Sequence, residues 1–156
     1  GRHDLSVAVS AFPEGHPRSP DLATDRRYLA AKLERADLGL SQFFFRADDF
    51  LRMRDDLAAL GCETPVLPGV MPLVNPEVVR RFAAINGAWF PEDLAARVTD
   101  AGDDGVAVAV ESAVALADRL LDEGVPGVHV YCLNRGDVAT GVVLGLDGRV
   151  GSPIPS

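Results

Sequence analysis

Residues 38–45 read LGLSQFFF, an apolar and aromatic run that contains a single amide, Gln42. A short run of this kind is typical of a parallel strand that is buried on both faces. Burying an unpaired amide costs about 1–3 kcal/mol, so Gln42 is expected to have a backbone partner or a ligand. The strand alone favours the backbone partner, and the rest of the chain must decide between the two.

Segments with strand and helix periodicity alternate around this stretch. Asp21, Asp48 and Asn75 are predicted helix N-caps, Gly61 and Gly87 are predicted helix ends, and Phe82 is predicted to lie on the buried side of its helix. Residues 136–145 fit either a helix or a strand. The other predicted strands cover 5–11, 64–67 (closed by a turn at 68–69) and 127–132, and the predicted helices cover 22–35, 48–60, 76–86, 91–98 and 103–123.

This alternation predicts an α/β fold with a parallel sheet and helical crossovers. About four βα units form either a small open sheet or half of a (βα)8 barrel of the TIM type. In both architectures, ligands bind at the carboxyl ends of the strands. His16, Gln42, Asn134 and Arg135 lie at or near such ends, so this edge of the sheet is the predicted site.

Composition restricts the class of partner. The 156 residues are 47% hydrophobic and carry a formal net charge of −8, which indicates one domain with a sizeable core and argues against nucleic acid or an anionic membrane as partner. Cys62 and Cys132 lie far apart without a metal-ligand pattern, so we predict neither a disulfide framework nor a metal site. No signal peptide or membrane-spanning run is evident, which favours a cytoplasmic location.

Four motifs resemble the methylenetetrahydrofolate reductase family. They are SQFFF at 41–45, FPEGHP at 12–17, LPGVMP at 67–72 and YCLNR at 131–135, in the family's order and at closely similar spacing. The resemblance implies that residues 1–146 form the C-terminal half of a (βα)8 reductase barrel, strands five to eight, and that residues 147–156 form a tail.

The resemblance also implies substrate-binding residues. The family's folate-contacting glutamine corresponds to Gln42, where the amide would hydrogen-bond the pterin edge, and its aminobenzoate-stacking aromatic corresponds to Phe82. Arg135 stands at the position of the family's arginine after strand eight. Without the resemblance, Phe82 would be interpreted as a core residue and Arg135 as half of a surface ion pair.

The FAD-binding residues of the family match this sequence in part. His16, Asp25 and Lys32, the only lysine, match, whereas Phe12 replaces a tyrosine and Tyr28 replaces a polar residue. Basic and N–H donors favour a pyrophosphate, so these replacements weaken the expected flavin site. The alternative is a flavin-independent member of the family, in which hydride passes directly from the nicotinamide to folate. Without the resemblance, Asp25 and Lys32 would be interpreted as part of a solvated helix face.

The implied reaction is the reduction of 5,10-methylenetetrahydrofolate to 5-methyltetrahydrofolate with NAD(P)H, a step of one-carbon and methionine metabolism. The family's general acid is a glutamate on its first strand, which has no counterpart in these residues, so no catalytic residue is assigned here. Two alternatives stay open. One is another folate or flavin barrel enzyme, and the other is a non-catalytic half-barrel that binds or assembles, for which a homo-oligomer pairing the exposed sheet edges is expected.

Overall fold

A computed structural model of the protein describes residues 5–146 and 149. Its strands are β1 (Ala8–Ala11), β2 (Leu38–Phe43), β3 (Val66–Val70) and β4 (His129–Val130). Its α-helices are α1 (Leu22–Leu33), α2 (Ala47–Ala59), α3 (Pro76–Asn86), α4 (Glu92–Asp100), α5 (Gly105–Asp122) and α6 (Gly136–Gly145), and a 3-10 turn at Gly102–Asp104 precedes α5. The predicted 147–156 tail, apart from residue 149, lies outside the described residues.

The four strands form one parallel sheet in the order β1-β2-β3-β4, so each strand pairs with its neighbour in the sequence. Crossovers between parallel strands are right-handed, and a consecutive order therefore places the helices on one face of the sheet. Val9 and Ala11 pack into the core on that face. Ala8 and Ser10, which alternate with them along the strand, are exposed on the other face. The α/β prediction is confirmed, and this one-sided cover is the arrangement of a partial TIM barrel.

Two apolar clusters hold the helices to the sheet. In the larger cluster, the rings of Phe44 and Phe50 stack at 5.5 Å, and Met53 of α2 is fully buried beside them. The second cluster lies where β2 and β3 end and joins Phe43 and Met71 to α3, α4 and α5. Each large side chain buried in these clusters contributes roughly 1.5–3 kcal/mol relative to an exposed one.

Two helix starts follow the sequence predictions. Asp21 caps α1 by accepting a hydrogen bond from the Thr24 N–H at 2.7 Å. Asn75 caps α3 in the same way, through the Val78 N–H at 3.2 Å, and a proline occupies the first turn. Gly87 ends α3 in the left-handed conformation at φ 67°, which glycine adopts without steric strain.

Several predicted boundaries were wrong. Arg46, and not Asp48, occupies the N-cap of α2, and Asp48 lies in the first turn, where it forms an ion pair with Arg119. The third strand continues through Pro68 and Gly69 instead of turning there. The segment that fitted either a helix or a strand is the helix α6.

The last strand is also shorter than predicted. Leu133 and Asn134 adopt positive φ values of 47° and 64°, a conformation that cannot continue a strand. The Arg135 N–H donates a hydrogen bond to the Cys132 carbonyl at 2.8 Å, which closes this turn before α6. Among the described helices, none is long and apolar enough to cross a membrane.

Candidate functional site

A bulge in β2 lies at the centre of the predicted site. The pairing of β2 with β3 shifts register between Leu40 and Phe43, so the regular ladder is interrupted there. Ser41 is fully buried in the bulge, and its hydroxyl donates to the Gln42 carbonyl and accepts from the Gly69 N–H, both at 2.8 Å. One hydroxyl therefore replaces hydrogen bonds that the interrupted ladder does not supply.

The predicted burial of Gln42 was wrong, because the buried polar side chain of this strand is that of Ser41. Gln42 is half-buried at the carboxyl end of β2, and its amide side chain has no hydrogen-bond partner among the residues that the structure describes. The backbone partner favoured by the strand alone is not found for this side chain. The amide is thus free to bind a ligand.

Phe82 lies on α3 but does not belong to its buried side. Val79 and Ala83 are the buried residues of this helix, whereas Phe82 keeps 37% of its surface exposed. The prediction that Phe82 lies on the buried side of its helix was therefore wrong. An aromatic ring that remains exposed on a helix near the carboxyl edge of the sheet offers a face for stacking.

Arg135 forms a two-pronged ion pair with a neighbour in the sequence. Its Nε and Nη2 donate to the Asp137 carboxylate at 3.0 and 2.7 Å, and the guanidinium holds the pKa of Asp137 below its usual value. The side chain is 47% exposed. This is the surface ion pair of the alternative interpretation, and a ligand carboxylate would have to compete with Asp137 for the arginine.

The five residues matched to the flavin site surround a single cavity at the end of β1. The cavity has a volume of about 200 Å³. Its lining comprises Ser10, Phe12, His16, Ser19, Asp25, Tyr28, Leu29 and Lys32. Sequence comparison alone did not single out Ser10 or Ser19, because serines near a strand end and in a turn carry no distinctive pattern.

Asp25 organises the wall of this cavity. It is buried, with 7% of its surface exposed, and its Oδ1 accepts from the His16 N–H at 3.0 Å and from the Ser19 hydroxyl at 2.7 Å. Its Oδ2 pairs with buried Arg26 at 3.3 Å. Because these partners occupy both carboxylate oxygens, Asp25 fixes the loop that carries His16 and has little capacity left for a ligand.

Lys32 supplies the cationic group of the cavity. Its Nζ donates a hydrogen bond to the Ser10 carbonyl, and burial lowers the pKa of the ammonium while nearby Asp25 raises it. Phe12 and His16 meet edge to face at 4.6 Å, and Tyr28 keeps 70% of its surface exposed at the mouth. A cation in a cavity that aromatic side chains also line suits a phosphate group of a dinucleotide. The volume is below the usual ~300–1,000 Å³ range of ligand pockets, so it holds only part of such a molecule.

A second group of side chains joins the loops at the same edge. Glu14 of the β1–α1 loop accepts from the backbone N–H of Trp89, at 3.0 Å for Oε1 and 2.9 Å for Oε2. The Arg46 guanidinium lies 4.7 Å above the Trp89 ring. No sequence pattern indicates this group, because Glu14 and Trp89 are far apart in the chain and only folding brings them together. Within residues 5–146 and 149, no group of His, Cys, Asp and Glu could hold a metal ion.

The chain matches a known protein family over most of its length. The family model described as methylenetetrahydrofolate reductase matches residues 2–146. A 5,10-methylenetetrahydrofolate reductase of Escherichia coli is 29% identical over 152 residues, covering 95% of this chain and 51% of the relative. The chain therefore spans about half the length of this bacterial relative.

Eukaryotic relatives belong to the same family, and a solved structure shares the fold. A probable methylenetetrahydrofolate reductase (NADPH) of Caenorhabditis elegans is 31% identical over 84% of this chain and 20% of its own length. Methylenetetrahydrofolate reductase (NADH) 1 of Arabidopsis thaliana is 30% identical over 91% of this chain and 26% of its own. An uncharacterized Clostridium thermocellum protein that binds two copies of 5-methyl-5,6,7,8-tetrahydrofolic acid shares the fold, with a TM-score of 0.59, 14% identity and coverage of 94% of this chain and 54% of that one.

Proposed function

The chain belongs to the methylenetetrahydrofolate reductase family, and we propose that it supplies the folate-binding half of such an enzyme. The proposed reaction is the reduction of 5,10-methylenetetrahydrofolate to 5-methyltetrahydrofolate with NAD(P)H. The structural neighbour's ligand is the product of this reaction, which supports folate as the ligand class. The general acid is expected outside these 156 residues.

The free amide of Gln42 is the observation that carries the proposal. The amide is half-buried and has no hydrogen-bond partner among the described residues, so a ligand at the carboxyl end of β2 could bind it without breaking a contact within the chain. An amide offers an acceptor and two donors in one plane, which matches the alternating donors and acceptors along a pterin edge. The Ser41 hydroxyl fixes the backbone carbonyl of Gln42, so the strand holds the amide in place before a ligand arrives.

Phe82 is proposed to stack on the aminobenzoate ring of the folate. Its exposed ring would otherwise leave apolar surface in water, and an aromatic ligand would cover it. Arg135 is proposed as a weaker contact to a glutamate carboxylate of the substrate, since Asp137 already occupies its guanidinium.

FAD is the proposed cofactor, held in part by the cavity at the end of β1. Lys32 would pair with a phosphate, Phe12 and His16 would contact its neighbouring atoms, and Tyr28 would cover the mouth, with Asp25 positioning the loop. A bound flavin would supply hydride transfer between NAD(P)H and the one-carbon unit. The residues of this chain would bind and orient the two partners and exclude water between them.

Substitution of Gln42 tests the folate assignment. In the full-length protein, we expect Gln42→Ala to raise the Kd for the folate product about tenfold or more, because at least one hydrogen bond to a buried ligand group is lost. The expected change in the free energy of unfolding is small. The control is Glu63→Ala, which changes an exposed polar residue at the opposite end of the sheet. It should alter neither the Kd for folate nor the free energy of unfolding.

Equal losses of stability and folate affinity in Gln42→Ala would assign the amide a structural role and contradict the proposal. The visible spectrum of the purified protein tests the cofactor separately. A colourless protein that still oxidises NAD(P)H in the presence of methylenetetrahydrofolate would exclude FAD and favour direct hydride transfer. A full-length protein without any such oxidation would contradict the reductase assignment itself.

A non-catalytic half-barrel is the second candidate, favoured by the uncovered face of the sheet. Ala8 and Ser10 on β1 are exposed, and Leu38 and Leu40 of β2, which pair with them, are only half-buried. A module of this kind would associate through that face. The oligomeric state from light scattering, measured together with turnover, separates the two candidates.

A further inference from the structure

Glu14 joins two parts of the chain that carry different halves of the proposed site. It lies in the β1–α1 loop, whose Phe12 and His16 line the cavity at the end of β1. Its carboxylate accepts the Trp89 N–H at 3.0 and 2.9 Å, and its side chain is only 17% exposed. Trp89 follows the end of α3, the helix that carries Phe82.

Arg46 adds the loop after β2 to the same contact. Its guanidinium lies 3.7 Å from the Glu14 carboxylate and 4.7 Å from the centre of the Trp89 ring, while its Nε donates to Asp49 at 2.7 Å. The arginine is therefore held between two carboxylates and an indole. The loops that follow β1 and β2 and the segment after α3 meet at this one point.

The connection between Trp89 and α3 is short and rigid. The Ala88 N–H donates to the Ala83 carbonyl at 2.9 Å, which closes the end of the helix around Gly87. Pro17 of the β1–α1 loop lies against Gly87, with its nearest ring atom 3.6 Å from the position that a Cβ there would occupy. A displacement of the β1–α1 loop would therefore displace the end of α3 through two contacts, Glu14 with Trp89 and Pro17 with Gly87.

The chemistry of Glu14 indicates positioning. Its carboxylate accepts the backbone N–H of Trp89 and lies beside the Arg46 guanidinium, so both of its contacts are with residues of this chain that belong to other loops. Burial raises the pKa of Glu14, opposed by the Trp89 N–H and by Arg46 and reinforced by Asp49. The charged form is therefore disfavoured at this place, and the Trp89 N–H and Arg46 offset part of that cost.

We propose that Glu14 is a positioning residue that fixes the cavity loop relative to α3, and so sets the distance between the proposed flavin and folate subsites. The inference rests on the proposed function. Hydride transfer needs close approach of donor and acceptor, and a displacement of about 1 Å can lower the rate about 100-fold. Loss of the Glu14 contact should therefore lower kcat more than it weakens the binding of either partner.

The test compares Glu14→Ala and Glu14→Gln with a matched control in the full-length protein. Glu92→Ala removes an exposed glutamate that pairs with Arg80 near the same edge, without touching the Glu14 contact. The measurements are kcat, KM for the folate, flavin content from the visible spectrum, the midpoint of thermal unfolding, and Trp89 fluorescence obtained by difference from a Trp89→Phe variant.

We expect Glu14→Ala to lower kcat about tenfold or more, with KM and flavin content within about threefold of the wild type, and to make Trp89 emission more accessible to a quencher. Glu14→Gln should be intermediate, since its amide oxygen still accepts one hydrogen bond, and Glu92→Ala should match the wild type. An active wild type with unchanged kcat in Glu14→Ala would overturn the inference alone. Parallel losses of kcat, flavin content and thermal stability in Glu14→Ala would overturn the inference and assign Glu14 a structural role. A wild type without reductase activity would overturn the proposed function, and the inference about Glu14 with it.

Discussion

The Tyr131 hydroxyl donates a hydrogen bond to the Ser41 carbonyl at 3.1 Å, across the strand that separates them. The tyrosine ring passes over Gly69 of β3, where a side chain would collide with it. Ser41 lies in the bulge that also contains Gln42, so the residue after β4 fixes the backbone beside the proposed pterin contact. Two strands and the residue that follows β4 contribute to this arrangement, and three of its hydrogen bonds involve a side-chain hydroxyl.

The Ser41 hydroxyl should contribute strongly to stability. Ser41→Ala leaves the buried Gly69 N–H without its partner, and such an orphaned donor costs about 1–3 kcal/mol. Urea unfolding of the variant should show this loss in the free energy of unfolding. Ser112→Ala, a half-buried serine on α5 with no side-chain hydrogen bond among the described residues, is the control and should lose little. Equal effects of the two substitutions would show that the bulge does not depend on Ser41.

Gly69 should tolerate no side chain. A Cβ at this position would lie 2.4 Å from the Ser41 carbonyl oxygen and 2.7 Å from Tyr131 Cε2, so Gly69→Ala should destabilise the protein by about 1–3 kcal/mol or more. Gly136→Ala is the matched control, because no atom lies within 4 Å of its Cβ position and its backbone is helical. Thermal unfolding should show a lower midpoint for the first variant and an equal or higher midpoint for the second.

Lys32 should determine flavin retention if the cavity at the end of β1 holds a phosphate. A hydrogen bond to a charged group contributes about 1.5–3 kcal/mol, so Lys32→Gln should raise the flavin Kd about tenfold or more. The absorbance of bound flavin after dialysis measures this directly. Arg35→Gln removes an exposed cation near the end of the same helix and should leave the absorbance unchanged. An undiminished flavin absorbance in Lys32→Gln would remove the lysine from the cofactor site.

Glu14 should leave a signature in the pH dependence of stability. Its pKa is raised above the ordinary value of 4.5, mainly by burial, so the folded protein binds more protons than the unfolded chain as the pH rises through that value. The free energy of unfolding of the wild type, relative to Glu14→Gln, should therefore be largest at low pH and fall as the pH increases. Urea titrations of both proteins from about pH 4.5 to about pH 7 give this difference. A difference that grows with pH would mean that Arg46 and the Trp89 N–H outweigh burial.

Local chemistry allowed the starts of α1 and α3 and the end of α3 to be predicted. Asp21 and Asn75 each precede an apolar helical pattern, and Gly87 follows the second one, so the caps could be assigned from short-range hydrogen bonding. The start of α2 could not be predicted in this way, because Asp48 is a good cap residue by type, whereas the N-cap lies two residues earlier at Arg46, whose side chain pairs with Asp49. Arg46 also contacts Glu14 and Trp89, which are remote from it in the sequence.

The end of β3 and the state of Gln42 depended on contacts that the sequence does not display. Pro68 and Gly69 are turn residues by propensity, but here the strand tolerates proline beside a bulge and requires glycine under Tyr131. The same bulge brings Ser41 inward, so the expected burial of Gln42 was wrong although its ligand role stays a prediction. The family motifs nevertheless identified five residues that line one cavity, because motif spacing reflects a shared fold.

The consecutive strand order has a consequence for how the chain folds. Each strand pairs with the strand before it in the sequence, so the sheet can grow one βα unit at a time as the chain leaves the ribosome, without waiting for distant segments. Several contacts near the carboxyl edge of the sheet nevertheless connect remote positions, such as Glu14 with Trp89, Asp48 with Arg119 and Ser41 with Tyr131. These contacts can form only when later segments arrive, and folding therefore completes the proposed site last, on a sheet that is already assembled.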